Sequence, residues 1–435
     1  MKITMIGAGY VGLVSGVCFA ELGHEVVCVD VNEGRVRALE SGRVPIYEPG
    51  LDEMMARNMK AGRLTFSSSL ERAARGARAV FIAVGTPTRR GDGHADLSYV
   101  YAAAEEVAQV IDPGAVVVTK STVPVGTNAE VRDILRRVRP GTEIHVASNP
   151  EFLREGSAIG DFMHPDRVIV GVEDAAARAV LSEIYAPLGD RGYPVVFTGV
   201  KTAEMTKYAA NAFLATKITF INEIARLCER VGADVSEVAH GLGLDTRIGS
   251  RFLAAGPGYG GSCFPKDTKA LAQIGRDHGL PMSIVETVIQ ANENMKLAMV
   301  DKIADLCDGG VSGAKIAVLG VTFKAETDDM RDAPSLTILP ALHAQGADLV
   351  LCDPEGGAEA TKIFPFARWE EDAYAACEGC DVAVILTEWS CFRDLDLERL
   401  GCGMRRAKMA DLRNLYTPRQ LQDAGWEAYT GVGRS

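Results

Sequence analysis

The chain has 435 residues and a formal charge of −12, from 46 Lys and Arg against 58 Asp and Glu. At roughly 100–200 residues per domain this length implies two to four domains, and so acidic a balance leaves no broad basic surface for nucleic acid. Apolar residues at 47% and charged residues at 24% are ordinary globular values, which excludes a disordered or low-complexity chain.

The opening Met1-Lys2-Ile3-Thr4-Met5-Ile6 reads as a strand rather than a signal peptide. No apolar run approaches the roughly 20 residues of a membrane span, so no membrane partner and a cytoplasmic location are expected. Ten cysteines are too sparse for a disulfide scaffold, and reduced thiols are the default. Short β-rich runs at 3–6, 25–30, 79–84, 115–119, 143–147 and 168–172 alternate with helical patterns. That alternation predicts a parallel sheet with helices on both faces.

From Lys201 to Val231 there is neither Pro nor Gly, which predicts one long helix. Ala209, Ala210, Ala212, Phe213, Ala215, Ile218, Phe220 and Ile221 surround much of it, so it is expected to be buried, in part against another subunit. More helical pattern follows from Thr268 to Leu306. After a Gly-rich break at 308–313, Lys315-Ile-Ala-Val-Leu-Gly320 echoes Lys2-Ile-Thr-Met-Ile-Gly7, and Asp348-Leu-Val-Leu-Cys-Asp353 echoes Glu25-Val-Val-Cys-Val-Asp30. Two related α/β halves follow from this repeat. The second lacks the glycines of the first and is expected to keep the fold without binding a dinucleotide in the same way.

Those glycines are Gly7-Ala-Gly9-Tyr-Val-Gly12, a G-x-G-x-x-G between a strand and a helical pattern, with Asp30 ending the next strand. The first Gly permits the turn, the second lets a pyrophosphate approach a helix N-terminus, and the third lets helix pack on strand. Asp30 suits the ribose 2′-OH of NAD, while Arg35 leaves a 2′-phosphate open. The expected fold class is α/β, with Rossmann-like doubly wound domains at 1–200 and 309–435 joined by the long helix and a helical middle domain at 201–308.

Other segments combine reactive residue types. Gly85-Thr86-Pro87-Thr88 and Lys120-Ser121-Thr122-Val123-Pro124 follow strands, where doubly wound sheets bind ligands, although both also read as plain turns. Asn149-Pro-Glu151-Phe-Leu-Arg154-Glu155-Gly156 offers two carboxylates, one of which could be a general base; both could equally serve a helix dipole. Lys207 and Asn211 share a helix face, either as a snorkelling Lys with a neighbour or as two donors for an oxyanion. In Gly256-Pro-Gly258-Tyr-Gly260-Gly261-Ser262-Cys263-Phe-Pro265-Lys266-Asp267 the glycines imply a close approach to the backbone, and Pro265 suits a first helical turn. Cys263 at that N-terminus has the setting of a nucleophile, with a buried structural Cys as the alternative. Cys377 and Cys380 form a lone C-x-x-C that reads as structural, and no metal site is expected.

Taken together, these segments resemble the nucleotide-sugar dehydrogenase family over essentially the whole chain. The carriers are Gly7–Gly12, 85–88, 120–124, 149–159 with Asp161-Phe162, His164–Arg167, Glu204–Asn211, Gly258–Asp267, and Phe323-Lys324 through Arg331. The resemblance implies oxidation of a sugar C6 alcohol to a carboxylate with two NAD, through aldehyde-level and thioester intermediates. Cys263 would form a thiohemiacetal and then the thioester, and Lys207 and Asn211 would stabilise the oxyanion. Asp267, Thr122 and Glu155 would position water and assist proton transfer, with the general base of each step left open. NAD contacts would fall on Gly7, Gly9, Tyr10, Val11, Gly12, Asp30, Arg35, Thr86, Thr122, Glu155, Lys266 and Arg331.

By the same resemblance, substrate contacts would fall on Glu151, Phe152, Leu153, Arg154, Glu155, Lys207, Asn211, Phe252, Gly256, Tyr259, Gly260, Phe323, Lys324 and Arg413. Arg247 would reach the nucleotide of a neighbouring subunit, implying a homodimer or larger homo-oligomer. Glu155-Gly-Ser-Ala-Ile, His164-Pro-Asp-Arg-Val, Cys263-Phe-Pro-Lys-Asp and Thr387-Glu-Trp389 look like the UDP-glucose branch, with GDP-mannose or another nucleotide sugar as the alternative substrate. A two-electron hydroxyacid-type dehydrogenase, or a non-catalytic NAD-binding scaffold, would share the glycine loop and not need the Cys263 segment.

Overall fold

Residues 1–89, 93–308 and 310–434 are described in a computed structural model of the chain; Gly309, within the expected Gly-rich break and at the expected third-domain boundary, lies outside the described residues. Two compact units emerge, Met1–Ala210 and 211–435. Their division falls within the helix Val200–Val231, one residue earlier at its start than the Pro- and Gly-free stretch suggests.

The first unit carries strands β1 (Lys2–Ile6), β2 (Glu25–Val29), β3 (Leu64–Ser67), β4 (Ala79–Ile82), β5 (Val116–Thr119), β6 (His145–Ser148), β7 (Val168–Val172) and β8 (Val195–Thr198). They form one sheet in the order β3-β2-β1-β4-β5-β6-β7-β8. Its inner strands are covered on both faces: all four residues of β4 and of β5 are buried. Helix Tyr10–Glu21 packs Phe19 against Phe81 and Phe162 at ring separations of 5.1 and 5.0 Å, locking one face of the sheet.

Two features depart from the sequence reading. The β6–β7 ladder is antiparallel, where a parallel sheet was expected, because the chain after β6 forms only the six-residue helix Ala158–Met163 and returns at the same sheet edge. Strands β3 and β8 lie outside the expected runs; each is short and β8 is partly exposed at the sheet edge, so neither has a continuous apolar signal.

In the second unit, the end of the long helix is followed by helices Val235–Leu244, Phe264–Asp277 and Ser283–Ala304. The helical pattern expected from 268 to 306 is thus interrupted, at a turn where Gly279 has φ +69°. A second sheet follows, from β9 (Lys315–Leu319), β10 (Asp348–Cys352), β11 (Arg368–Trp369), β12 (Val382–Ile385), β13 (Lys408–Asp411) and β14 (Ala428–Gly431). Its order is β11-β10-β9-β12-β13-β14, all parallel, and matches that of the first six strands of the other sheet.

The sequence echo is therefore a structural repeat, down to its turns. Gly7 and Gly320 have φ +94° and +92°, and a Cβ would meet Ala83 O at 2.6 Å or Thr387 Cβ at 2.3 Å. Asp30 accepts the Ala8 N–H at 2.9 Å, and Asp353 accepts the Val321 N–H at 2.7 Å. Asp353 also accepts from the Thr322 N–H and hydroxyl, the Trp389 indole, and the N–H groups of Glu355 and Gly356. The carboxylate corresponding to Asp30 is thus consumed by its own fold.

Cys377 and Cys380 are buried free thiols, and no group of three or more metal-ligating side chains occurs among the described residues. Among those residues no helix is long and apolar enough to cross a membrane. Asp353→Ala would strand several buried donors, and urea unfolding of the variant should show a loss of about 3 kcal/mol. A loss within experimental error would show that Asp353 does not organise this sheet edge.

Candidate functional site

In the first unit the three glycines of the β1 turn have separate physical duties. A Cβ on Gly12 would lie 1.8 Å from Gly7 O, and Gly7 itself is pressed on Ala83, so both are packing glycines. Gly9 is the N-cap of helix Tyr10–Glu21, has no side-chain cap hydrogen bond, and has nothing within 4 Å of where a Cβ would stand. Unsatisfied helix N–H groups beside open space fit the pyrophosphate of a dinucleotide. Val11 follows, half-buried against the core.

Asp30 accepts from the N–H groups of Ala8 and Asn32 and from Arg35 Nη1, each at 2.9 Å. Burial pushes its carboxyl up, but the Asn32 and Ala8 N–H groups and the Arg35 guanidinium more than offset this and hold it below the usual range. Arg35 is thereby neutralised by Asp30 and offers no isolated cation to a 2′-phosphate.

A residue that sequence reasoning missed closes this turn. Glu48 is buried, accepts the Tyr10 hydroxyl, and takes the N–H groups of Gly156 and Ala158 at 2.7 Å each. It ties the glycine turn to the 149–157 loop, a long-range contact with no local signal. Thr86 and Thr122 do meet: Thr86 Oγ1 donates to Thr122 O at 3.0 Å.

The 149–157 loop brings Glu151 to Lys207, 3.0 Å apart with side chains 5% and 3% exposed. Lys207 is therefore no snorkelling surface residue, and Glu151 no surface helix-dipole partner. Burial raises the Glu151 carboxyl, yet Lys207, the Leu153 N–H and Lys120 together hold it below its ordinary value. The ring of Phe152 lies 3.9 Å from the Arg167 guanidinium and 5.2 Å from Lys207 Nζ. Leu153 and Glu155 are half-buried, and exposed Arg154 forks onto Asp161 at 2.6 and 3.0 Å.

Glu204, one turn before Lys207, accepts the N–H groups of Gly126 and Asn128 at 2.7 and 2.9 Å. It caps helix Thr127–Val138 and so anchors the loop that carries Thr122. Its role was hidden in the sequence, because a capping carboxylate 76 residues distant leaves no pattern.

In the second unit Cys263 is half-buried at the N-cap of helix Phe264–Asp277, with Pro265 in the first turn. Asp267 is 1% exposed and accepts Asn211 Nδ2 and Lys266 Nζ, both at 2.6 Å. Asn211, Asp267 and Lys266 thus form a continuous polar row behind the Cys263 turn.

The adjoining glycines admit the chain itself. A Cβ on Gly258 would lie 2.9 Å from Asn292 Oδ1, on Gly260 2.4 Å from Asp332 O, and on Gly261 2.7 Å from the Phe323 ring. Tyr259 is pinned by Asn292 at its N–H and carbonyl, 2.8 and 3.1 Å. The Arg413 guanidinium donates to Leu386 O and Phe323 O at 2.9 Å and approaches Gly256.

Phe252 has φ +64°, rare for an aromatic residue, and its ring lies edge-on to Phe264. Lys324 Nζ lies 5.7 Å from the Phe323 ring. Arg331 pairs with Asp329 at 2.8 Å, and Arg247, 88% exposed, forks onto Asp245. Arg331 and Arg247, both expected to contact a nucleotide, are thus each held by a neighbouring acid.

Residues 1–189 match the NAD-binding domain of the UDP-glucose/GDP-mannose dehydrogenase family, 201–294 its central domain, and 317–418 its UDP-binding domain. The chain is 55% identical to UDP-glucose 6-dehydrogenase of Rhizobium meliloti over the full length of both. It is 47% identical to UDP-glucose 6-dehydrogenase TuaD of Bacillus subtilis, covering 100% of this chain and 93% of that one. A solved UDP-glucose dehydrogenase from Pyrobaculum islandicum superposes with a TM-score of 0.92 at 39% identity, covering 100% of this chain and 98% of that one. With the glycine turn, the buried Lys207–Glu151 pair and the Cys263 helix already placed, these likenesses make the chain a member of the UDP-glucose/GDP-mannose dehydrogenase family, an NAD-binding oxidoreductase.

Proposed function

We propose that this enzyme oxidises UDP-glucose at C6 to UDP-glucuronate, with two NAD consumed per sugar, and works as a homodimer. The observation that carries the four-electron reading is the setting of Cys263: a half-buried thiol at a helix N-terminus, backed by Asn211, Asp267 and Lys266. A two-electron dehydrogenase has no use for it.

When bound, NAD supplies the hydride acceptor for each of the two oxidations. Cys263 Sγ, at the N-cap of its helix, adds to the C6 aldehyde; oxidation of the thiohemiacetal leaves a thioester. Lys207 and Asn211, one turn apart on the helix Val200–Val231, donate to the oxyanion. One Asn211 N–H goes to Asp267, which leaves the other for substrate. Glu151 pairs with Lys207 and holds its ammonium in place. Water, positioned by Thr122, Glu155 and Asp267, cleaves the thioester to carboxylate and free thiol.

The substrate choice is supported by the full-length relatives named above. Association is supported by Phe213, Phe220 and Leu227, exposed at seven-residue intervals on the long helix and joined by Val231. A row of large apolar side chains on one helix face calls for a covering surface. Exposed Arg247 would then complete the neighbour's nucleotide site.

Two NADH should appear per UDP-glucose at 340 nm, with no turnover of GDP-mannose or UDP-N-acetylglucosamine. Cys263→Ala should yield no glucuronate, and wild-type uronate production by this variant would end the thioester mechanism. For Asp30→Ala, discrimination of NAD over NADP should fall by about tenfold; an unchanged ratio removes Asp30 from the ribose site. Arg247→Ala should raise the KM for UDP-glucose several-fold while gel filtration still gives a dimer. An unaltered KM would show that the site is not shared.

A further inference from the structure

Lys120 lies directly after β5, two residues before Thr122, and its side chain is buried in the first unit. Its Nζ donates to Asn149 Oδ1 at 3.0 Å and lies 3.5 Å from the Asn149 carbonyl, while the Phe162 ring faces it at 5.8 Å. Asn149 is itself immobilised, donating to Ile169 O at 2.8 Å and accepting the Tyr185 hydroxyl. Lys120 is thus held by a rigid support rather than by an ion partner.

A cavity of about 40 Å³ adjoins it, lined also by Asn149, Glu151, Asp161, Arg167 and Tyr185. That size admits water between polar groups. Around it, Asp161 is committed to Arg154, Arg167 stacks on Phe152, and the Cys18 and Tyr185 side chains are held neutral by burial. Glu151 remains as the carboxylate that shares this cavity with Lys120, and Glu151 is also the partner of Lys207.

We propose that Lys120 is a positioning residue of the oxidation, its ammonium drawing on the Glu151 carboxylate and so setting how much of the Lys207 charge is left for the oxyanion. This rests on the role given to Lys207 above. With Lys120 charged, one carboxylate serves two cations and the three groups together carry net positive charge. With Lys120 neutral, Glu151 neutralises Lys207 alone, and oxyanion stabilisation weakens. Burial pushes Lys120 down to about 8, Glu151 opposing the shift and Lys207 adding to it, so the proton is lost under mildly alkaline conditions.

The test follows kcat and KM for UDP-glucose against pH in the wild type, Lys120→Met, Lys120→Gln and Lys120→Arg. In the wild type kcat should fall as pH rises through about 8. The Met and Gln variants should lose about tenfold in kcat at neutral pH, with KM within about twofold and without that alkaline fall. The Arg variant, which cannot lose its proton, should keep neutral-pH activity and carry it into the alkaline range.

Urea unfolding supplies a readout independent of catalysis. Above pH 8 or so the unfolded chain binds a proton at Lys120 that the native state has lost, so wild-type stability should rise with pH relative to the Met variant. Met and Gln variants that retain the wild-type alkaline limb, or a stability difference independent of pH, would overturn the proposal. A wild type that forms no NADH from UDP-glucose would instead overturn the function on which it rests.

Discussion

A lysine ammonium and a glutamate carboxylate 3.0 Å apart, both nearly sealed from water, form the joint of the first unit. Taking two charges out of solvent is expensive, and their attraction repays the cost only with good geometry and further hydrogen bonds. Here the Leu153 N–H supplies one such bond to Glu151 at 2.6 Å. Because the pair joins the 149–157 loop to the long helix, it fixes the placement of Phe152 and Lys207 together. Glu204 does the same one turn earlier for the Thr122 loop, and Glu48 for the glycine turn. Three buried carboxylates, Glu151, Glu204 and Glu48, each accept main-chain N–H of a loop and so hold that loop in place.

The two α/β halves show how one topology separates into two uses. Both begin with a strand, a positive-φ glycine and a turn tied to an Asp at the end of the next strand. In the first half the helix N-terminus is left open at Gly9. In the second, Thr322, Trp389, Glu355 and Gly356 crowd onto Asp353, and no third glycine brings a helix close to the turn. The carboxylate at the position of Asp30 is already paired within the protein.

The Cys263 segment shows the same economy. Its glycines are required by close approaches of Asn292, Asp332 and Phe323, which give the turn a single shape and leave Cys263 at the start of its helix. Asp267 lies one turn along, where it holds both Asn211 and Lys266. A carboxylate so deeply buried is tolerable because an amide and an ammonium satisfy it.

Local and periodic features were legible in the sequence: the glycine turn with Asp30, the long helix to within a residue, the internal repeat, Cys263 at a helix start, and Lys207 with Asn211 on one face. Each rests on backbone sterics or on side chains a few residues apart, which a linear chain already specifies. The antiparallel β6–β7 ladder, the short strands β3 and β8, the capping roles of Glu48 and Glu204, and the burial of Lys120 beside Glu151 needed the tertiary structure. They depend on partners tens of residues distant, and a carboxylate or ammonium has the same chemistry in the sequence whether it faces water or another charge. Packing decided which of these ionic groups left solvent.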